Sequence, residues 1–159
     1  MNYFELFNIP VSLSVDKASL PKKYFELQKK YHPDFFAQAD AATQEDVLEK
    51  SSQINKAFKV FQQQQSTIKY VLQLKGLLVE EEKYQLPPDF LMEVMELNEN
   101  LSAGTANLLE NFETLIYSEV KAIIENYDDN KSSTADLLKV KEFYFKKKYL
   151  QRILDRLDD

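Results

Sequence analysis

Cysteine is absent from the 159 residues, histidine occurs once and glycine twice, at Gly76 and Gly104. Without cysteine the chain forms no disulfide and offers no thiolate to zinc or an iron–sulfur cluster, so neither a metal site nor a cofactor is expected. Two glycines leave no glycine-rich loop for a nucleotide and few of the tight turns that sheets need. No serine sits in a nucleophile-elbow motif. No run of about 18 apolar residues is present, so no membrane-spanning helix is expected. The opening Met1-Asn2-Tyr3-Phe4-Glu5-Leu6-Phe7 lacks the charged start and long apolar core of a secretory signal, which makes cytoplasmic residence the expectation.

What is present suits an all-α protein: hydrophobic residues make up 44% of the chain and aromatic residues 13%, in helical periodicities. The net charge of −6 is unevenly spread. Residues 1–75 hold 10 basic and 8 acidic side chains, residues 76–159 hold 10 and 18. So acidic a second half argues against nucleic acid as the partner. Within the first half, positions 20–31 carry four lysines against one glutamate, a local positive stripe.

The periodicity predicts a short first helix over Tyr3–Phe7, ended by Pro10. A second starts near Asp16 or Ser19. Pro21, tolerated only in a first turn, favours the later start, and Leu20, Tyr24, Leu27 and Tyr31 form its buried side. A third spans Ala41–Gln63, with Val47, Ser51, Ile54, Phe58 and Phe61 inward. The second and third should pair as an antiparallel hairpin. Gln62 to Ser66 reads as a polar break before a short helix over Thr67–Lys75, closed by Gly76. The charge run at Glu80 and the Pro87-Pro88 pair read as a linker over 77–88. Three further helices, Asp89–Leu101, Thr105–Tyr127 and Thr134–Leu157, predict a three-helix bundle over 89–159. Leu108, Phe112, Leu115, Ile116, Ile123 and Tyr127 stripe the middle one; Val140, Phe143, Leu150, Leu154 and Leu157 stripe the last.

His32-Pro33-Asp34, in the loop between the second and third helices, holds the only histidine. Taken alone it is a helix end stopped by proline, with His32 complementing the helix dipole. Beside the lysines of the preceding helix and Ile54-Asn55-Lys56-Ala57-Phe58 after it, it reads as a display loop next to a positive face, suited to an acidic patch on a partner. A small helical enzyme using His32 as a lone base is the remote alternative; no nucleophile accompanies it, so no catalytic residue is assigned.

On the Asp89–Leu101 wheel, Phe90, Val94, Leu97 and Leu101 suffice as a core stripe. Leu91, Met92 and Met95 fall on an adjoining face with Glu96 and Glu99. An apolar patch with an acidic rim is a candidate partner site, and methionine suits adaptable contacts. A helix buried on two sides would show the same pattern. Phe145 points away from the core stripe of the last helix and gains interest only beside Leu91, Met92 and Met95.

A lysine-rich helix, His32-Pro33-Asp34 and Ile54-Asn55-Lys56-Ala57-Phe58, in that order, resemble a J-domain, expected over 1–76. With Asn2-Tyr3-Phe4-Glu5-Leu6-Phe7, Tyr70-Val71-Leu72-Gln73-Leu74-Lys75-Gly76 and Phe90-Leu91-Met92-Glu93-Val94-Met95-Glu96-Leu97, the whole chain resembles the HscB (Hsc-twenty, or Jac-type) iron–sulfur co-chaperone family. The resemblance implies a non-enzymatic adaptor that brings an IscU-type cluster scaffold to an HscA-type ATPase of the DnaK class and stimulates its ATP hydrolysis. It implies that His32, Pro33, Asp34, Lys23 and Lys29 contact the ATPase. It implies that Leu91, Met92, Met95, Glu96, Glu99 and Phe145 contact the scaffold. A general J-protein serving other clients is the alternative, and the missing glycine-rich linker and cysteine-rich client domain speak against it. The chain departs from the family pattern at Phe35, where a lysine often follows the tripeptide. It departs again at Thr67 in place of an arginine, and at Gln64-Gln65 in place of a proline-containing turn. The cysteine pairs of eukaryotic versions are absent, which implies a bacterial type.

Overall fold

The computed structural model describes residues 1–99 and 104–157. Seven α-helices run through the described residues, without strands: α1 (Tyr3–Leu6), α2 (Leu20–Tyr31), α3 (Ala41–Phe61), α4 (Gln64–Leu74), α5 (Pro88–Glu99), α6 (Thr105–Glu125) and α7 (Thr134–Leu157). They form two compact units, Met1–Val71 and Leu72–Asp159.

In the first unit, Asn2 caps α1 by accepting from the Glu5 N–H at 2.8 Å, and its amide reaches back to the Glu5 carboxylate. Pro10 was expected to end α1. Instead Asn8 ends it from the left-handed region, at φ 53°. The Asn8 and Ile9 N–H groups donate to the Glu5 and Phe4 carbonyls, closing the last turn before proline is reached. Helix α2 begins after Ser19, with Pro21 in its first turn. Asp40 caps α3 through the Thr43 N–H, and its hydrogen bonds with Thr43 hold its carboxyl below the ordinary range.

Helices α2 and α3 pair as the expected hairpin. Leu20, Val47, Ser51, Ile54, Ala57 and Phe61 are buried, while Tyr24, Leu27, Tyr31 and Phe58 are only half-buried. Phe4 and Phe7 close the core on Phe61, with ring centroids 4.9 and 5.4 Å away. Tyr3 stacks on Tyr70 at 4.5 Å and donates its N–H to that hydroxyl. Burial raises the Tyr70 pKa.

The polar break between α3 and α4 is only Gln62 and Gln63. Residues 64–66, expected within it, are helical, because the Ser66 and Thr67 hydroxyls donate back to the Val60 and Gln63 carbonyls. Gly76 ends α4 as expected, at φ 71°: its N–H donates to Gln73 and that of Leu77 to Leu72.

In the second unit α5 packs on α6 and α6 on α7. Phe90 and Val94 of α5, Leu109, Ile116, Val120 and Ile124 of α6, and Leu137, Val140, Phe143 and Leu150 of α7 are buried. The expected α6 stripe holds only in part: Ile116 is buried and Phe112, Ile123 and Tyr127 are half-buried, but Leu108 and Leu115 are exposed, and Leu109, Val120 and Ile124 face inward with Ile116. Leu97 is half-buried, and Leu101 lies outside the described residues.

Residues 77–88, expected as a linker, belong to this unit and are fixed to it. The Glu82 carboxylate meets Lys141 Nζ at 2.7 Å, and Tyr84 stacks on Phe145 with centroids 4.6 Å apart and planes 1° from parallel. Lys75, just after α4, pairs with Asp129 in the α6–α7 loop, and the Tyr127 hydroxyl donates to the same carboxylate. Burial, then the Asp129 bond, raises the Tyr127 pKa.

Candidate functional site

The loop after α2 follows from its residues. Proline cannot continue the helix, so His32 leaves it in an extended conformation (φ −68°, ψ 130°), and Pro33–Phe36 then form one turn of 3₁₀ helix. His32 caps that turn: its Nδ1 accepts from the Asp34 N–H at 3.2 Å. Asp34 Oδ2 lies 3.6 Å from the same Nδ1, too long for a hydrogen bond and attractive only when the imidazole is protonated. His32 and Asp34 are both exposed.

An open groove of about 610 Å³ lies beneath this loop, between α2 and α3. Its floor is polar. Asn55 Oδ1 accepts from Tyr24 Oη at 2.7 Å and from Gln28 Nε2 at 2.8 Å, and Ser51 Oγ donates to Gln28 Oε1 at 3.4 Å. Tyr24 also stacks on Phe58 at 4.1 Å. These bonds tie the middle of α2 to α3 and hold the hairpin end that carries the loop. Asn55 and Phe58 of the Ile54–Phe58 segment therefore act on the loop's support.

Lys29 lines the groove together with His32 and Asp34. Lys23 does not; it is half-buried elsewhere on α2. Phe25 and Phe35 line the groove too, at 65% and 70% exposure. The stripe reading of α2 does not single out Phe25. The signal was available, because Lys22, Phe25 and Lys29 share one face at helical spacing.

On α5, Met92 and Met95 are each 60% exposed, Leu91 is half-buried, and Glu96 and Glu99 are exposed. These five lie on neighbouring stripes of one short helix. Phe145 does not join them as an exposed anchor. It is 9% exposed, covered by Tyr84 and edge-on to Tyr144, because the segment read as a linker folds over it. Among the described residues no group of three or more His, Asp or Glu side chains is placed to hold a metal ion.

A helical hairpin displaying His-Pro-Asp at its turn, followed by a separate helical bundle, defines a J-domain protein with a C-terminal helical domain. Residues 86–158 match the family model described as the HSCB C-terminal oligomerisation domain. A co-chaperone protein HscB homolog of Acinetobacter baumannii is 34% identical over 161 aligned residues, covering 99% of this chain and 89% of that one. The chain belongs to the HscB co-chaperone family. Among solved structures it is similar to the chaperone HscB from Vibrio cholerae, with a TM-score of 0.66 at 27% identity over 99% of this chain and 96% of that one. It is also similar to the human co-chaperone protein HscB, with a TM-score of 0.78 at 27% identity over 99% and 81%. No helix among the described residues is long and apolar enough to cross a membrane.

Proposed function

We propose that this chain brings an IscU-type iron–sulfur scaffold protein to an HscA-type ATPase of the DnaK class and stimulates ATP hydrolysis there, promoting cluster assembly and transfer. The observation that carries this reading is the exposed His32-Pro33-Asp34 turn at the lysine-bearing end of α2, in a chain of the HscB family. Residues 1–76 serve the ATPase, through that turn and through Lys23 and Lys29 on α2. Exposed lysines raise the encounter rate with an acidic surface more than the final affinity. Residues 89–159, braced by 77–88, serve the scaffold through Leu91, Met92, Met95, Glu96 and Glu99. Phe145 is left out of that face because its ring is covered.

The chain carries out no bond chemistry of its own and works in the cytoplasm. His32 Nδ1 accepts from the Asp34 amide, so the ring helps shape the turn. The test is steady-state ATP hydrolysis by a purified HscA-type ATPase with this chain, with an IscU-type scaffold, and with both. Acceleration by the chain, raised further by the scaffold, is the expected result. A rate unchanged from the ATPase alone contradicts the reading.

A further inference from the structure

Phe25 and Phe35 both line the groove beneath His32, one on α2 and one on the 3₁₀ turn. Phe25 also borders a second open groove of about 520 Å³, shared with Lys22, Glu26 and Lys29, so its ring forms a ridge between two depressions. Lys29 Nζ lies 5.8 Å from the centre of that ring. The Phe35 ring meets His32 edge-on at 6.0 Å. Two large apolar rings at 65% and 70% exposure lie within a mainly polar surface that holds Lys22, Lys29, His32, Gln28 and Asn55 as well as the carboxylates of Glu26 and Asp34. Neither contributes to the hairpin core, so folding does not require an aromatic ring at either position.

We infer that Phe25 and Phe35 form an apolar clamp around His32 that gives docking on the ATPase a salt-resistant component and selects an ATPase whose acidic docking surface carries an apolar side chain at its centre. The inference rests on the docking function proposed above. Charge complementarity names the occupant: α2 carries Lys22, Lys23, Lys29 and Lys30 against the single Glu26, so the surface that covers it is acidic, and the two exposed rings demand an apolar contact. The clamp is continuous with the His32 loop, so one partner surface covers both. Lysines alone would give binding that fades with salt, because the screening length falls from about 10 Å at 0.1 M to about 3 Å at 1 M. Apolar burial does not fade in this way.

The test compares wild type, Phe25→Ala/Phe35→Ala and Phe25→Lys/Phe35→Lys against a purified HscA-type ATPase at about 0.1 M and about 1 M salt. Binding is read by calorimetry and stimulation by ATP hydrolysis. Thermal melts check the fold, and both variants should melt with wild type. The alanine pair should bind about tenfold or more weakly at both salt concentrations. The lysine pair should bind near the wild-type level at low salt and lose binding at high salt, where wild type still binds. An alanine pair that binds and stimulates like wild type at both concentrations overturns the clamp while leaving the docking function standing. A wild-type chain that fails to stimulate at either concentration overturns the docking function, and the clamp with it.

Discussion

Replacing Phe145 by alanine should destabilise the second unit substantially, although this residue reads from the sequence as an exposed contact. A buried phenylalanine removes about 150–250 Å² from water, worth about 4–6 kcal/mol at about 25 cal/mol per Å². A realistic unfolded chain lowers that by roughly 10–40%, and alanine retains part of the remainder. Measured core truncations of phenylalanine cost about 3–5 kcal/mol. At 9% exposure, with one face under Tyr84, the lower end of that range is appropriate. For a unit of this size about 3 kcal/mol lowers the melting temperature by about 12–24 °C. An exposed phenylalanine would cost within about 0.5 kcal/mol and shift the melt by about 2–4 °C. Melts followed by circular dichroism decide between them. Tyr84→Ala in both backgrounds gives a cycle whose coupling should be about 0.5–1.5 kcal/mol. A Phe145→Ala melt within about 4 °C of wild type, or no coupling to Tyr84, would refute the buried stack.

Three more outcomes follow from named contacts. Gly76→Ala should cost about 1–2 kcal/mol in urea unfolding, because φ 71° strains any side chain even though a Cβ there meets nothing within 4 Å; an unchanged midpoint would contradict the cap. Glu82 and Asp129 are both held below their ordinary values of 4.5 and 3.8, mainly by hydrogen bonds from Lys141 and Lys75. Depressed carboxylates stabilise the fold above those ordinary values and lose that contribution as pH falls through the lowered ones. Thermal melts should therefore fall as pH drops below about 4.5, and Lys141→Met should shrink the fall; an identical pH profile would count against the Glu82 pair. Met92→Ala/Met95→Ala should melt within about 0.5 kcal/mol of wild type yet weaken calorimetric binding of an IscU-type scaffold by about tenfold or more; unchanged binding would place the scaffold elsewhere.

Local rules carried most of the helices. Pro21 set the start of α2 and Gly76 the end of α4, because both act through backbone geometry that the residue alone determines. The α6 stripe was legible only in part. Apolar residues occur there as adjacent pairs, Leu108-Leu109 and Leu115-Ile116, so two neighbouring faces fit the period, and only packing against α5 and α7 selects one. The ordering of 77–88 was equally hidden, since it comes from Tyr84 on Phe145 and Glu82 on Lys141 rather than from any periodicity. That same contact is why Phe145 reads wrongly as exposed. The His32 loop was visible because its shape depends on Pro33 and on neighbours in sequence. The groove beneath it depends on Asn55, 31 residues from Tyr24, and was not.

The most direct measurement is steady-state ATP hydrolysis by an HscA-type ATPase with the His32→Gln protein beside wild type, helical content being matched by circular dichroism. His32 is exposed and outside both cores, so the variant should fold normally. It should leave hydrolysis at the rate of the ATPase alone, while wild type accelerates it. Full stimulation by a folded His32→Gln protein would contradict the account.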